Sequence, residues 1–154
     1  MFQLRSLPNQ GYTMIEVVTT LVVAGILTTV GIVAVRPAVQ HAKVRSAANV
    51  VAGDLQYAQA LAVRERRPIS VVVDSAGMQL IIRDRDLVTK VYRTRVLGPG
   101  TDFSLDQLSV TGGSIQLFPN GVAGSTITVT LGLNGFQRRV RLTRAGQIRI
   151  IRTP

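Results

Sequence analysis

The run from Tyr12 to Val35 constrains this chain most: Glu16 is its single charged residue, and every side chain from Val17 to Val35 is uncharged. Such a run approaches the ~20 residues with which an α-helix crosses a hydrocarbon core about 30 Å thick. A membrane-spanning helix with one carboxylate near its start is expected, and the longer remainder reads as a soluble domain attached to it. A removable secretory signal would end in a small-x-small cleavage site. Val33-Ala34-Val35-Arg36-Pro37 offers a bulky, charged and proline-bearing sequence instead, and the small residue stands in front, at Gly11.

A plain membrane anchor leaves Glu16 unexplained, because an acid in a membrane helix costs about 2.5–3.5 kcal/mol at the bilayer centre and less towards the interface. Such a group calls for a partner. If the chain is cut after Gly11, Tyr12 acquires an α-amino cation at the i,i+4 spacing that places it on one helix face with Glu16. The cut then creates the counter-charge, within one subunit or between neighbours.

The segment Gly11-Tyr12-Thr13-Met14-Ile15-Glu16-Val17-Val18 resembles the prepilin cleavage motif of type IV pilins and type II secretion pseudopilins. Tyr12 stands where Phe is most common, and Met14, Val17 and Val18 where Leu is frequent. The resemblance implies that a prepilin peptidase cuts between Gly11 and Tyr12 on the cytoplasmic face, removes Met1–Gly11 and methylates the new amine of Tyr12. It also implies that Glu16 aligns an incoming subunit with the N-terminus of one already in the filament. Arg5 follows the positive-inside tendency, which places the leader in the cytoplasm and everything after Arg36 across the membrane.

The chain has 154 residues, formal net charge +10 and no cysteine. That allows one domain beyond the anchor and excludes disulfide and thiolate chemistry. Past Pro37, which should perturb the helix, Val44, Ala47, Ala48, Val51, Leu55, Ala58 and Ala62 fall on one stripe, with Lys43, Arg45, Asn49, Gln56 and Gln59 mostly off it. A continuous or once-kinked helix from about Tyr12 to about Arg66 is predicted. Its first half would lie in a bilayer or filament core and its second half would pack on the domain. Pro68 ends it, and Arg64, Arg66 and Arg67 are placed in the last turn, where cations complement the helix dipole. A nucleic-acid patch is the alternative for that basic run, set second because basic runs attract anions nonspecifically.

From Ile69 the period changes to two. Strands are predicted at Ile69–Asp74 and Met78–Arg83 around a Ser75-Ala76-Gly77 turn, and at Val88–Arg95. Gly98-Pro99-Gly100 breaks the sheet, and Thr101–Gly113 reads as a loop. Ser114–Phe118, Thr126–Leu133, Phe136–Thr143 and Gln147–Arg152 complete the strand set, with Asn134-Gly135 as a type I′ hairpin signal. The fold class is α+β: a long N-terminal transmembrane helix packed on an antiparallel β-sheet domain. The expected organisation is a leader at 1–11, a transmembrane and assembly half-helix at 12–36, an amphipathic half-helix at 37–67 and a β-domain at 68–154. The second half resembles the GspH/FimT type of minor pilin, through Ile115-Gln116-Leu117-Phe118-Pro119-Asn120-Gly121 and the closing Gly146-Gln147-Ile148.

Asp106 is the last acid, whereas Arg138, Arg139, Arg141, Arg144, Arg149 and Arg152 follow it. Alternation puts Arg139 and Arg141 opposite Val140 and Leu142, and Arg149 opposite Ile148 and Ile150, so a basic stripe on one sheet face is expected. Arginines there could bind phosphates through paired hydrogen bonds and counterion release; a solvated face or an acidic neighbouring subunit would use them equally. FimT-like minor pilins bind DNA in competence, and their closing Gly-Arg-x-Arg motif matters for it. Here that place reads Gly146-Gln147-Ile148-Arg149, one arginine short, and aromatic stacking partners are lacking.

Enzymatic readings find little support. His41 is the only histidine; it is expected to face solvent near the membrane surface and has no cysteine to join in a metal cluster. Asp84 and Asp86 share one alternation face and could hold a hard cation, but Arg83 and Arg85 neutralise them more simply. Gly98-Pro99-Gly100 and Gly112-Gly113 lack the context of a phosphate loop and read as turns. The sequence therefore points to a non-enzymatic minor pseudopilin of a type II secretion system, without cofactor or metal. It would be single-pass in the cytoplasmic (inner) membrane with its C-terminal domain in the periplasm. Its expected partners are the prepilin peptidase, other pilins or pseudopilins, the inner membrane and, in the alternative FimT-like reading, DNA taken up in transformation.

Overall fold

The computed structural model describes residues 11–152, without the side chains of residues 30–34. Apart from Gly11, the expected leader lies outside the described residues. A single helix, α1, runs Met14–Glu65 with Pro37 inside it. Thr13 caps its start: its carbonyl accepts the N–H groups of Glu16 and Val17 at 3.1 and 3.2 Å, and its Oγ1 accepts the Glu16 N–H at 3.3 Å. Such a cap is worth about 0.5–2 kcal/mol against alanine, and an acid in the first turn complements the helix dipole. Thr13 and Glu16 thus have a helical role whatever else they do.

The chain divides into two compact units after Ala38. In the first, Tyr12, Met14, Ile15, Leu21, Ile26 and Leu27 are exposed. The threonine hydroxyls bond back to their own helix: Thr19 to the Ile15 carbonyl at 2.7 Å, Thr20 to Glu16 at 2.9 Å, Thr28 to Ala24 at 2.7 Å and Thr29 to Gly25 at 2.9 Å. Among the described residues no helix is long and apolar enough to cross a membrane. The span expected over Val17–Val35 includes residues 30–34, whose side chains are outside the described set.

In the second unit, Val44, Ala47, Ala48, Val51, Leu55, Ala58 and Ala62 are all buried, as their helical spacing predicts, and Leu61 joins them. The helix ends one residue earlier than its basic run suggests. Arg66 takes a left-handed conformation at φ 53°, so Arg66 and Arg67 lie beyond α1 and only Arg64 occupies its last turn, paired with Glu65 at 3.2 Å. A left-handed residue at this position closes the helix much as glycine commonly does.

Eight strands follow: β1 Ile69–Asp74, β2 Gln79–Asp84, β3 Val91–Val96, β4 Gln107–Thr111, β5 Ile115–Leu117, β6 Ile127–Leu133, β7 Phe136–Leu142 and β8 Ile148–Arg152. They form two antiparallel sheets, ordered β3-β2-β1-β5 and β4-β6-β7-β8. Ile69, Val71, Leu80, Ile82, Ile115 and Leu117 from the first sheet and Leu108, Ile127, Val129, Leu131, Val140 and Leu142 from the second share one hydrophobic core with the helix stripe. Each Leu, Ile or Val fully buried there contributes about 1.5–3 kcal/mol.

β4 corrects the expectation of a loop over Thr101–Gly113. Leu108 is buried and Val110 half-buried on one side of it, and it pairs with β6 from Gln107↔Gly132 to Thr111↔Thr128. The Asn134-Gly135 turn has φ 50° and 85°, the two positive angles that a type I′ hairpin requires.

Candidate functional site

At the N-terminal motif, Gly11 and Tyr12 are exposed. Among the described residues, a Cβ added at Gly11 would meet nothing within 4 Å. Glu16 is exposed on the first turn.

The six arginines of the C-terminal segment do not form one stripe. Thr111↔Thr128, Thr128↔Arg141 and Arg141↔Arg149 make one row across the second sheet; Ser109↔Thr130, Thr130↔Arg139 and Arg139↔Ile151 make the next. Arg139, Arg141 and Arg149 therefore share the outer face, and all three are exposed. Arg138 and Arg152 oppose one another on the other side of the β7–β8 ribbon, where Val140 is also directed. Directly paired residues share a face, so the period of two separates Arg138 from Arg139. Arg144 lies exposed in the turn between β7 and β8.

The two motif segments of the β-domain meet. Gly121 and Gly146 hold φ 79° and 81°, and a Cβ on Gly146 would collide with the carbonyl oxygen of Gly121. Gln59 of α1 donates its Nε2–H to the Gly146 carbonyl at 2.8 Å, and the Ala123 N–H donates to the Arg144 carbonyl at 3.0 Å. The glycines of Ile-x-Leu-Phe-x-x-Gly and Gly-x-Ile thus form a seam where two loop backbones come close and the Gln59 side chain of α1 bonds to one of them.

Sequence reasoning missed an ionic cluster on α1. Asp54 is 2 % exposed within the apolar stripe. Its Oδ1 accepts from Arg93 at 2.9 Å and from Arg95 at 3.1 Å, and its Oδ2 accepts from Arg95 Nε at 2.9 Å. Arg93 also lies over the Tyr57 ring, 4.1 Å from its centroid. The hydrogen bond to Asp54 raises the affinity of Arg95 for its proton, against the opposing effect of burial. The available signal was an acid three residues after Val51 and four before Ala58, together with two arginines on one face of β3.

Asp84 and Asp86 do not share a face. Asp84 ends β2 fully buried, its Oδ1 accepting the N–H groups of Asp86 at 2.9 Å and Leu87 at 3.0 Å. The Leu87 bond does most to lower its pKa; the Asp86 bond and the charges of Arg67 and Lys90 add to this, and burial opposes it. Asp86 pairs with Arg85 at 3.1 Å. His41 is exposed, and its ring centroid lies 3.8 Å from that of Phe136. A cleft of about 150 Å³ between Val71, Val73, Val110, Ser114 and Ile115 has no titratable group in its lining.

The minor pseudopilin EpsH from the type 2 secretion system of Vibrio cholerae has a similar structure, with TM-score 0.58 and 16 % identity over 71 % of this chain and 97 % of that one. The type IV minor pilin FimU of Pseudomonas aeruginosa is similar in two crystal forms. The first gives TM-score 0.54 and 22 % identity over 70 % of this chain and 91 % of FimU; the second gives 0.53 and 25 % over 72 % and 88 %. No curated protein matches the sequence. The helix on two antiparallel sheets is thus the α+β architecture of these pilin-like proteins. Residues 47–146, which run from the buried helix stripe to the glycine seam, match the family described as type II transport protein GspH, and the chain belongs to that family.

Proposed function

We propose that this pilin-like protein is a minor pseudopilin of a type II secretion system, doing structural rather than catalytic work. A prepilin peptidase cuts between Gly11 and Tyr12 and methylates the Tyr12 amine. The helix over 12–36 holds the chain single-pass in the cytoplasmic membrane, with the β-domain in the periplasm, and then joins a filament of other pseudopilins. The observation that carries this reading is a GspH-type domain preceded by an exposed apolar helix on which Glu16 is the only acid before Asp54.

The test is Glu16→Ala in cells carrying the whole secretion system. The variant is expected to remain in the membrane fraction, while its incorporation into filaments and the export of substrate fall. Normal incorporation would sink the pairing of Glu16 with the Tyr12 amine. Mass spectrometry of the mature chain is expected to show a start at Tyr12 carrying one methyl group.

The exposed trio Arg139, Arg141 and Arg149 favours a second reading, a FimT-like minor pilin that binds DNA for uptake. Were all three to contact phosphates, full-length protein in detergent would bind duplex DNA with a log–log salt slope of about −2.7, and each change to alanine would remove about 0.9. Absence of binding at low salt rejects this reading.

A further inference from the structure

We infer that the outer face of the second sheet docks the acidic surface of a neighbouring protein subunit, with Arg139, Arg141 and Arg149 as its anchors; the inference rests on the filament reading above. Arg141 and Arg149 are direct cross-strand partners, and Arg139 lies two residues along β7 on the same face. Like charges placed directly opposite one another in a sheet repel. Among the described residues, none of the three pairs with a carboxylate, the ion pairs being those of Arg64, Arg85, Lys90, Arg93 and Arg95. The sequence supplies no acid after Asp106. Among the described residues, the ribbon therefore holds concentrated positive charge without a compensating carboxylate, and an anionic partner relieves that repulsion.

The rest of the face selects a protein over a nucleic acid. Guanidinium groups bind carboxylates bidentately, and three cations suit a small group of Asp and Glu side chains. A strongly salt-dependent DNA binder uses on the order of 6–10 phosphate contacts, and single-stranded nucleic acid adds aromatic stacking. Around the arginines the paired positions are Thr128, Thr130 and Ile151. These aliphatic and hydroxyl side chains offer bases no stacking surface.

The natural lack of cysteine allows one introduced thiol to report one position. Full-length Thr128→Cys, carrying a photo-reactive cross-linker in membranes of cells with the complete secretion system, is expected to cross-link to a peptide of another subunit rich in Asp and Glu. Adding Arg141→Glu and Arg149→Glu is expected to lower the yield at least about tenfold, as loss of close interfacial charge pairs does. The neutral pair Arg141→Gln and Arg149→Gln removes the repulsion without inverting the charge. It is expected to leave thermal unfolding intact and still lose most of the cross-link. Lysine at the mapped partner acids should restore the yield of the glutamate variant.

A yield indifferent to both variants, a partner peptide without acids, or a product destroyed by nuclease overturns the inference. If the cysteine variant enters filaments normally but forms no cross-link, this surface is wrong while the filament reading stands. Failure of the unaltered chain to enter filaments removes both.

Discussion

Gly135 and Gly146 both occupy the left-handed region, at φ 85° and 81°, but their surroundings differ. A Cβ at Gly135 would meet nothing within 4 Å, whereas at Gly146 it would press on the Gly121 carbonyl and come within 2.9 Å of Gln59 Nε2. Gly135→Ala should therefore cost only backbone strain, about 1–2 kcal/mol. Gly146→Ala adds an overpacking cost, for a total of about 2–5 kcal/mol. Denaturant unfolding of the full chain in detergent measures the difference; equal losses at the two positions would remove the seam from the account. The hairpin glycine was legible because Asn-Gly specifies its own turn, whereas the contact between Gly121 and Gly146 depends on a fold that brings two distant loops together.

The connection between α1 and the edge strand β3 is polar where the rest of the helix stripe is apolar. Arg93 and Arg95 sit opposite Ile82 and Leu80 in the register, so they point to the core side of the sheet and meet Asp54 there. Charges directed inward on an edge strand also discourage pairing with foreign strands. Asp54→Ala is expected to destabilise the protein by about 1–3 kcal/mol, less than loss of a fully buried partner, because the arginine side chains retain 39 % and 36 % exposure and can rehydrate. Arg93→Ala should cost less, since Arg95 still holds both carboxylate oxygens. A double-mutant cycle on Asp54 and Arg95 should return a coupling of about 0.5–3 kcal/mol; strict additivity would mean that the contact carries no stability. The helix stripe and most strands were legible from local periodicity. This cluster was not, because its partners lie 39 and 41 residues apart. β4 escaped although Gln107-Leu108-Ser109-Val110-Thr111 alternates, because five residues between Asp106 and Gly112-Gly113 make a signal too short to stand out until β6 pairs with them.

For the whole molecule, acid is expected to act through two carboxylates held by backbone N–H groups. The Gly77 N–H does most to lower the pKa of Asp74, with Gln79 and Ala76 adding and burial opposing; Asp84 is lowered chiefly by Leu87. Because both pKa values are depressed on folding, the unfolded chain takes up protons first as pH falls. Their contribution is complete above the ordinary value of 3.8 and is lost as pH drops through the lower folded values. The denaturation midpoint should hold steady from about pH 7 to 5 and fall below about pH 4. Asp84→Asn should make that acid limb shallower, and an unchanged limb would exclude Asp84 as its source. Within the first unit, Thr19, Thr20, Thr28 and Thr29 spend their hydroxyl protons on carbonyls of their own helix. If the segment passes from lipid into a filament as proposed, it does so, and returns, without breaking or re-forming a single one of these bonds. Its polar chemistry is indifferent to the medium, which leaves shape and the Glu16 charge to decide where the helix resides.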